Sequence, residues 1–154
     1  MNEARRRELI AQYRNGFAEV AGALEGIREE ELDRSAGGEW TPRQIAHHLA
    51  DSEMTSAIRL RRLIVEDEPV IQGYDEEHFA RTLTRDRPIE ASIEAMRWAR
   101  ESTAQILERL TEDEWRRTGT HSESGPYSVE RWLELYAAHA HDHAAQIRRS
   151  RGMA

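Results

Sequence analysis

The sequence predicts an all-α protein: one four-helix bundle domain over residues 1–154, with short extra helices in its long connections. Three observations carry this expectation. Four long segments repeat apolar residues every three and four positions, the period of a helix buried on one side. Two capping boxes mark helix starts. No stretch shows a convincing strand alternation, repeat or low-complexity tract.

The first segment runs from about residue 4 to 32, with Ile10, Tyr13, Phe17, Val20, Leu24 and Ile27 forming a seam. The second opens at Thr41-Pro42-Arg43-Gln44, with Thr at the N-cap, Pro at the first helical position and Gln closing the box. It continues through Ile45, Leu49, Met54, Ile58 and Leu60 to about Val65. The third follows Pro88, with Ile89, Ile93, Met96, Thr103, Leu107 and Leu110 in step. Thr111 to Glu114 is the second capping box and predicts a short helix through Trp115. The fourth opens at Ser128 and ends near Arg149, its inner stripe being Trp132, Leu135, Tyr136, His139, His143, Gln146 and Ile147. Residues 66–87 and 116–127 are long connections, the former with a short helix near Asp75. Their length allows either an up-down order or a crossover.

Composition narrows the chemistry. There is no cysteine, which removes disulfides, thiolate metal sites and thiol nucleophiles. All 22 basic residues are arginine, so neither a Schiff-base lysine nor a phosphate-loop lysine exists. The net charge of -7 argues against nucleic acid as a partner. The Arg5–Arg7, Arg59–Arg62 and Arg148–Arg151 clusters are expected to be solvated helix faces. No apolar run is long enough to span a bilayer, and the opening MNEARRRELI lacks the apolar core of a signal peptide. A soluble, cytoplasmic protein without a membrane partner is expected.

Histidine is what remains. His139 and His143 lie four apart, one above the other on a helix, and can share an ion. Roughly 0.3 such pairs arise by chance among seven histidines, so spacing alone is weak. Both, however, interrupt an apolar stripe, where imidazoles need partners; hydrogen-bonded core histidines are the plain alternative. His48 shares the inner face of the second segment with Ile45, Leu49, Ser52 and Thr55. His47 is rotated about 100° from it and is expected at an edge or on the surface. His141 points away from His139, and His78 and His121 fall in connections. Three imidazoles with open positions suit a catalytic zinc, nickel or iron rather than magnesium or calcium.

The stretch Trp40-Thr41-Pro42-Arg43-Gln44-Ile45-Ala46-His47-His48-Leu49-Ala50-Asp51-Ser52-Glu53 resembles the second-helix signature of the DinB/YfiT-like family. His139-Ala140-His141-Asp142-His143-Ala144-Ala145-Gln146-Ile147 is similar to that family's last helix, although Ala144-Ala145 stand where Arg-Gly is common. Glu68-Pro69, Tyr74-Asp75-Glu76 and His121–Gly125 resemble its YfiT-type branch. The resemblance implies a four-helix bundle, often a homodimer, with zinc or nickel on three histidines. Carried over by position, these are His48, His139 and His143, the set that helical geometry also selects.

The activity it implies is metal-dependent hydrolysis of a small molecule. The alternative is S-transfer from a low-molecular-weight thiol of the bacillithiol or mycothiol type. A third possibility is a non-catalytic dimeric bundle whose metal only supports structure. Hydrolysis needs a general base, and Ala140 stands where HExxH proteases carry Glu. Glu53 and Asp142 are the leading candidates, with Asp51 and Glu123 beside them; Asp142 could instead orient a ligand histidine. For each, an ordinary surface charge is the alternative. Tyr136 and Trp132 are core residues by spacing that could also line a pocket. Arg59, Arg62 or Arg97 could receive the carboxylates of a thiol cofactor.

Overall fold

The computed structural model describes residues 1–153. Four long helices, α1 (Glu3–Leu24), α3 (Pro42–Val65), α5 (Glu90–Leu107) and α7 (Val129–Ser150), form a bundle. Three short ones, α2 (Glu29–Leu32), α4 (Glu76–Leu83) and α6 (Glu112–Trp115), occupy connections. Both predicted capping boxes form. Thr41 Oγ1 accepts from Gln44 N at 3.2 Å, and Gln44 Oε1 accepts from Thr41 N at 3.0 Å. Thr111 and Glu114 repeat the pattern, and Asp75 caps α4. The first helix ends at Leu24 rather than near residue 32. Gly26 adopts φ +63°, a left-handed conformation that terminates a helix, and α2 restarts after it.

The order of packing is a crossover. α1 packs on α7 and α5, and α3 packs on α5 and α7, leaving α1/α3 and α5/α7 as diagonals. Side-chain pairings give the directions. His141 meets the Gln12 carbonyl and Arg148 meets Glu19, so α1 and α7 run parallel. His47 meets Ser92 and Arg61 meets Thr103, so α3 and α5 run parallel. Trp132 Nε1 donates to the Ser56 carbonyl while His48 faces His139, which makes α3 and α7 antiparallel. The long helices therefore run up, down, down, up. The α3–α5 connection carries the chain back along the bundle, laying α4 against α3.

The expectation of no strands is corrected. β1 (Val70–Ile71) pairs parallel with β2 (Thr118–His121), which forms an antiparallel hairpin with β3 (Gly125–Ser128). Strands of two and four residues are too short to show alternation, and Gly119, Gly125 and Pro126 read as turn residues. Gly119 is needed where it stands. A Cβ there would lie 2.5 Å from the carbonyl oxygen of Pro69, the residue just before β1.

The core consists of two apolar clusters. One holds Ile10, Leu60, Leu63, Leu107, Trp132 and Leu133, with Ile71 and Tyr127 from the sheet. The other holds Val20, Ile45, Leu49, Met96, Ala144 and Ile147. Between them lies a buried polar layer. Glu53 on α3 is fully enclosed, pairs with Arg100 on α5, and accepts from Tyr13 Oη on α1 at 2.9 Å. Arg100 also donates to the carbonyls of Tyr13 and Tyr136. Gly16 leaves room for this guanidinium: a Cβ there would sit 2.7 Å from both Arg100 Nη2 and the Ala140 Cβ. Three residues of the expected inner stripes, Met54, Ile58 and Leu135, are instead exposed.

Candidate metal centre

His48 comes from the first half of α3, His139 from the middle of α7 and His143 from its second half. Because α3 and α7 are antiparallel neighbours, these stretches face each other. The three residues offer ligand atoms that all lie within 4.8 Å of one another. His48 Nε2 and His139 Nε2 are 3.2 Å apart. Two nitrogens bound to one tetrahedral zinc at 2.0–2.1 Å would be separated by about 3.3 Å, so this pair has the right span.

The chemistry of the donors fits as well. A metal needs neutral imidazoles. Burial lowers the His48 pKa to about 3, with the neighbouring His143 adding to the effect. Burial likewise holds His139 well below the usual histidine range, helped by His143, His48 and Arg100. Burial lowers His143 too, although its bond to Gln146 and the charge of Asp142 oppose the shift. His143 Nδ1 lies 3.0 Å from Gln146 Oε1, a bond it makes as donor, which leaves Nε2 free. His139 Nδ1 is buried and finds no partner. Its ring is held by edge contacts with Tyr136, His48 and His143, at centroid distances of 5.7, 5.2 and 4.7 Å. Trp40 closes one side, 4.7 Å from His48 and stacked on His143 at 6.2 Å, and its Nε1 donates to Glu77 on α4 at 2.6 Å.

The other expected site residues scatter. Glu53 lies in the core layer described above, its two oxygens engaged by Tyr13 and Arg100. Asp142 is exposed beside His143 and makes no protein hydrogen bond among the described residues. Glu123 is exposed at the hairpin tip, against Gly73. Asp51 is partly buried one turn from His48, and burial raises its pKa. His47 is not at the surface: it is 2% exposed, 2.7 Å from Ser92 Oγ and 3.3 Å from the Arg87 carbonyl. Helix α3 is buried round most of its circumference, by α7, α5 and the returning α4, so a one-face assumption fails there. His121 accepts at Nδ1 from the Glu123 and Ser124 amides and packs against Tyr127.

The sequence pattern did not single out Trp40 or Tyr74 for the site. Tyr74 lies on the return connection, where burial raises the pKa of its phenol. Arg59, one of three arginines considered for anion binding, lies beside it under Tyr136. Arg62 instead pairs with Glu66, and Arg97 with Glu94 on the outer surface.

Comparison with known proteins agrees with this geometry. Over 122 residues the chain is 38% identical to "Putative metal-dependent hydrolase OB0782" of Oceanobacillus iheyensis, covering 79% of this chain and 71% of that protein. It is 32% identical over 131 residues to "Putative metal-dependent hydrolase BcerKBAB4_2443" of Bacillus mycoides, covering 84% and 75% respectively. The fold superimposes on YfiT from Bacillus subtilis, described as a probable metal-dependent hydrolase with an unusual four-helix bundle topology. The TM-score is 0.92 at 27% identity, covering all of this chain and 91% of YfiT. The sequence profile of the DinB superfamily matches residues 12–147. The chain belongs to the DinB superfamily.

Proposed function

We propose that this protein is a metal-dependent hydrolase of a small molecule, with His48, His139 and His143 holding one zinc or nickel ion. The observation that carries the reading is the three-histidine cluster itself, with every ligand atom within 4.8 Å of the others on two facing helices. An ion held there would supply Lewis acidity and acidify water for attack on an acyl centre. Burial keeps the imidazoles neutral, Gln146 orients His143, and Trp40 walls the cluster on one side. Among the candidate carboxylates we assign proton acceptance to Asp142, which is adjacent to His143 and whose charge is felt there, whereas Asp51 faces His47 and Arg87. Glu53 has no free oxygen for that role.

The test is elemental analysis of tag-free protein purified without chelator, beside His48→Ala and His143→Ala, followed by ester and amide hydrolysis assays. About one zinc or nickel per wild-type chain, lost in both variants together with turnover, is expected. A wild type that takes up no metal on reconstitution would refute the reading.

S-transfer from a low-molecular-weight thiol is the second reading, and the buried Arg59 favours it as a receptor for such a thiol's carboxylate. The homodimer is part of the proposal too. Met54 and Ile58 on α3 and Trp98 on the parallel α5 are exposed apolar side chains that a second copy would cover, which sedimentation would detect.

A further inference from the structure

Four arginines are buried: Arg6, Arg43, Arg59 and Arg100. Three face carboxylates, Arg6 with Glu112 and Glu130, Arg43 with Glu29 and Asp33, and Arg100 with Glu53. Among the described residues, Arg59 has no carboxylate within 4 Å. A guanidinium cannot give up its proton, and a buried charge without a counter-ion is expensive. Arg59 Nη2 donates to the Gln72 carbonyl at 2.6 Å, Nη1 lies 3.4 Å from Tyr136 Oη, and the group sits over the Tyr74 ring at 5.6 Å. These neutral partners leave Nε buried without an acceptor, and the neighbouring Tyr74 Oη is buried and unpartnered as well.

The position links this cation to the histidines. Eleven residues separate His48 from Arg59, three turns of α3 and about 20° of azimuth, so both lie on one stripe with Ser52. Helical side chains lean toward the helix N-terminus, which here is toward His48. Tyr136 bridges the rest, its hydroxyl at Arg59 and its ring against His139.

We infer that Arg59 is a recognition residue for a carboxylate on the ligand of the three-histidine centre. The ligand runs along this stripe of α3, with its carboxylate on the Arg59 Nε edge and Tyr74 Oη and its reacting end toward the histidines. A monoanion fits better than a phosphate dianion. The site offers one cation, and Glu76 and Glu123 stand on its outer side, where Glu76 feels both the Arg59 charge and Glu123. The inference rests on the reading of the histidine cluster as the reaction centre. The carboxylate can belong to an acyl substrate or to a thiol cofactor.

The experiment is calorimetric titration of zinc-reconstituted wild type with two matched pairs: N-acetylglycine against N-acetylglycinamide, and N-acetylcysteine against N-acetylcysteamine. The acid is expected to bind at least about tenfold tighter than its neutral partner, as a charge-assisted hydrogen bond would give. Arg59→Gln should abolish that preference and Arg59→Lys should keep part of it. Whichever acid binds tighter identifies the source. Equal binding of acid and neutral ligand by the wild type, which needs no variant, overturns the inference. So does a preference that survives Arg59→Gln, or one that appears only in Glu76→Gln, which would make Glu76 the counter-ion. Carboxylate preference in a protein that takes up no metal would leave Arg59 assigned and remove the hydrolase reading. Metal uptake with no preference would do the reverse.

Discussion

His143 Nδ1 lies 3.0 Å from Gln146 Oε1, a single turn further along α7. The amide oxygen can only accept, so the ring carries its proton on Nδ1 and leaves Nε2 as the atom it can offer to an ion. Removing such an orienting partner typically weakens metal affinity about 10–100-fold. Gln146→Ala is therefore expected to raise the zinc dissociation constant by that factor, measured by chelator competition, while circular dichroism stays unchanged.

The Glu53–Arg100 pair predicts a stability effect. Burial pushes the Glu53 carboxyl up, and Arg100 and Tyr13 pull it back down. Glu53→Ala would leave Arg100 charged in a dry core, a change that costs about 3–5 kcal/mol. Urea unfolding should show that loss, while Glu53→Gln, which keeps an oxygen for Tyr13, should lose less. Metal per chain should hold in Glu53→Gln, because neither Glu53 oxygen faces the histidines.

Gly16 predicts an overpacking effect at the α1–α7 contact. The added Cβ of Gly16→Ala would lie 2.7 Å from Ala140 and Arg100, and both elements would have to shift. A loss of about 1–3 kcal/mol in unfolding free energy is expected. Gly22→Ala is the control, since nothing lies within 4 Å of its position, and it should not destabilise.

Acid sensitivity should show at the start of α3. Arg43 hydrogen-bonds both Asp33 oxygens, at 2.8 and 3.0 Å, and holds that carboxyl below its ordinary range. A carboxyl with a depressed folded pKa binds fewer protons folded than unfolded. Its contribution is complete above the unfolded value of about 3.9 and is lost as pH falls through the folded one. The thermal midpoint should fall more steeply below about pH 4 in wild type than in Asp33→Asn, and the two slopes should agree near pH 6.

The helices and their starts were legible in the sequence because the signals are local. A capping box joins residues three apart, and a seam joins residues three and four apart, so Thr41, Thr111 and the four long segments could be read without knowing the neighbours. His48, His139 and His143 were legible by spacing and by family resemblance together. The short sheet was not, since two- and four-residue strands carry no period.

What the sequence by itself determined is therefore the all-α class, the helix starts and the three histidines. Tertiary structure alone decided which helices are neighbours, and most of the site follows from that choice. Crossover packing sets α3 antiparallel to α7, which brings His48 to His139. It also encloses His47, turns Glu53 toward Arg100 rather than toward the histidines, and buries Arg59 without a carboxylate. The physical reason is range. Helix formation depends on hydrogen bonds four residues long, whereas a buried charge is settled by whichever residue, 47 positions away for Glu53 and Arg100, the packing delivers beside it.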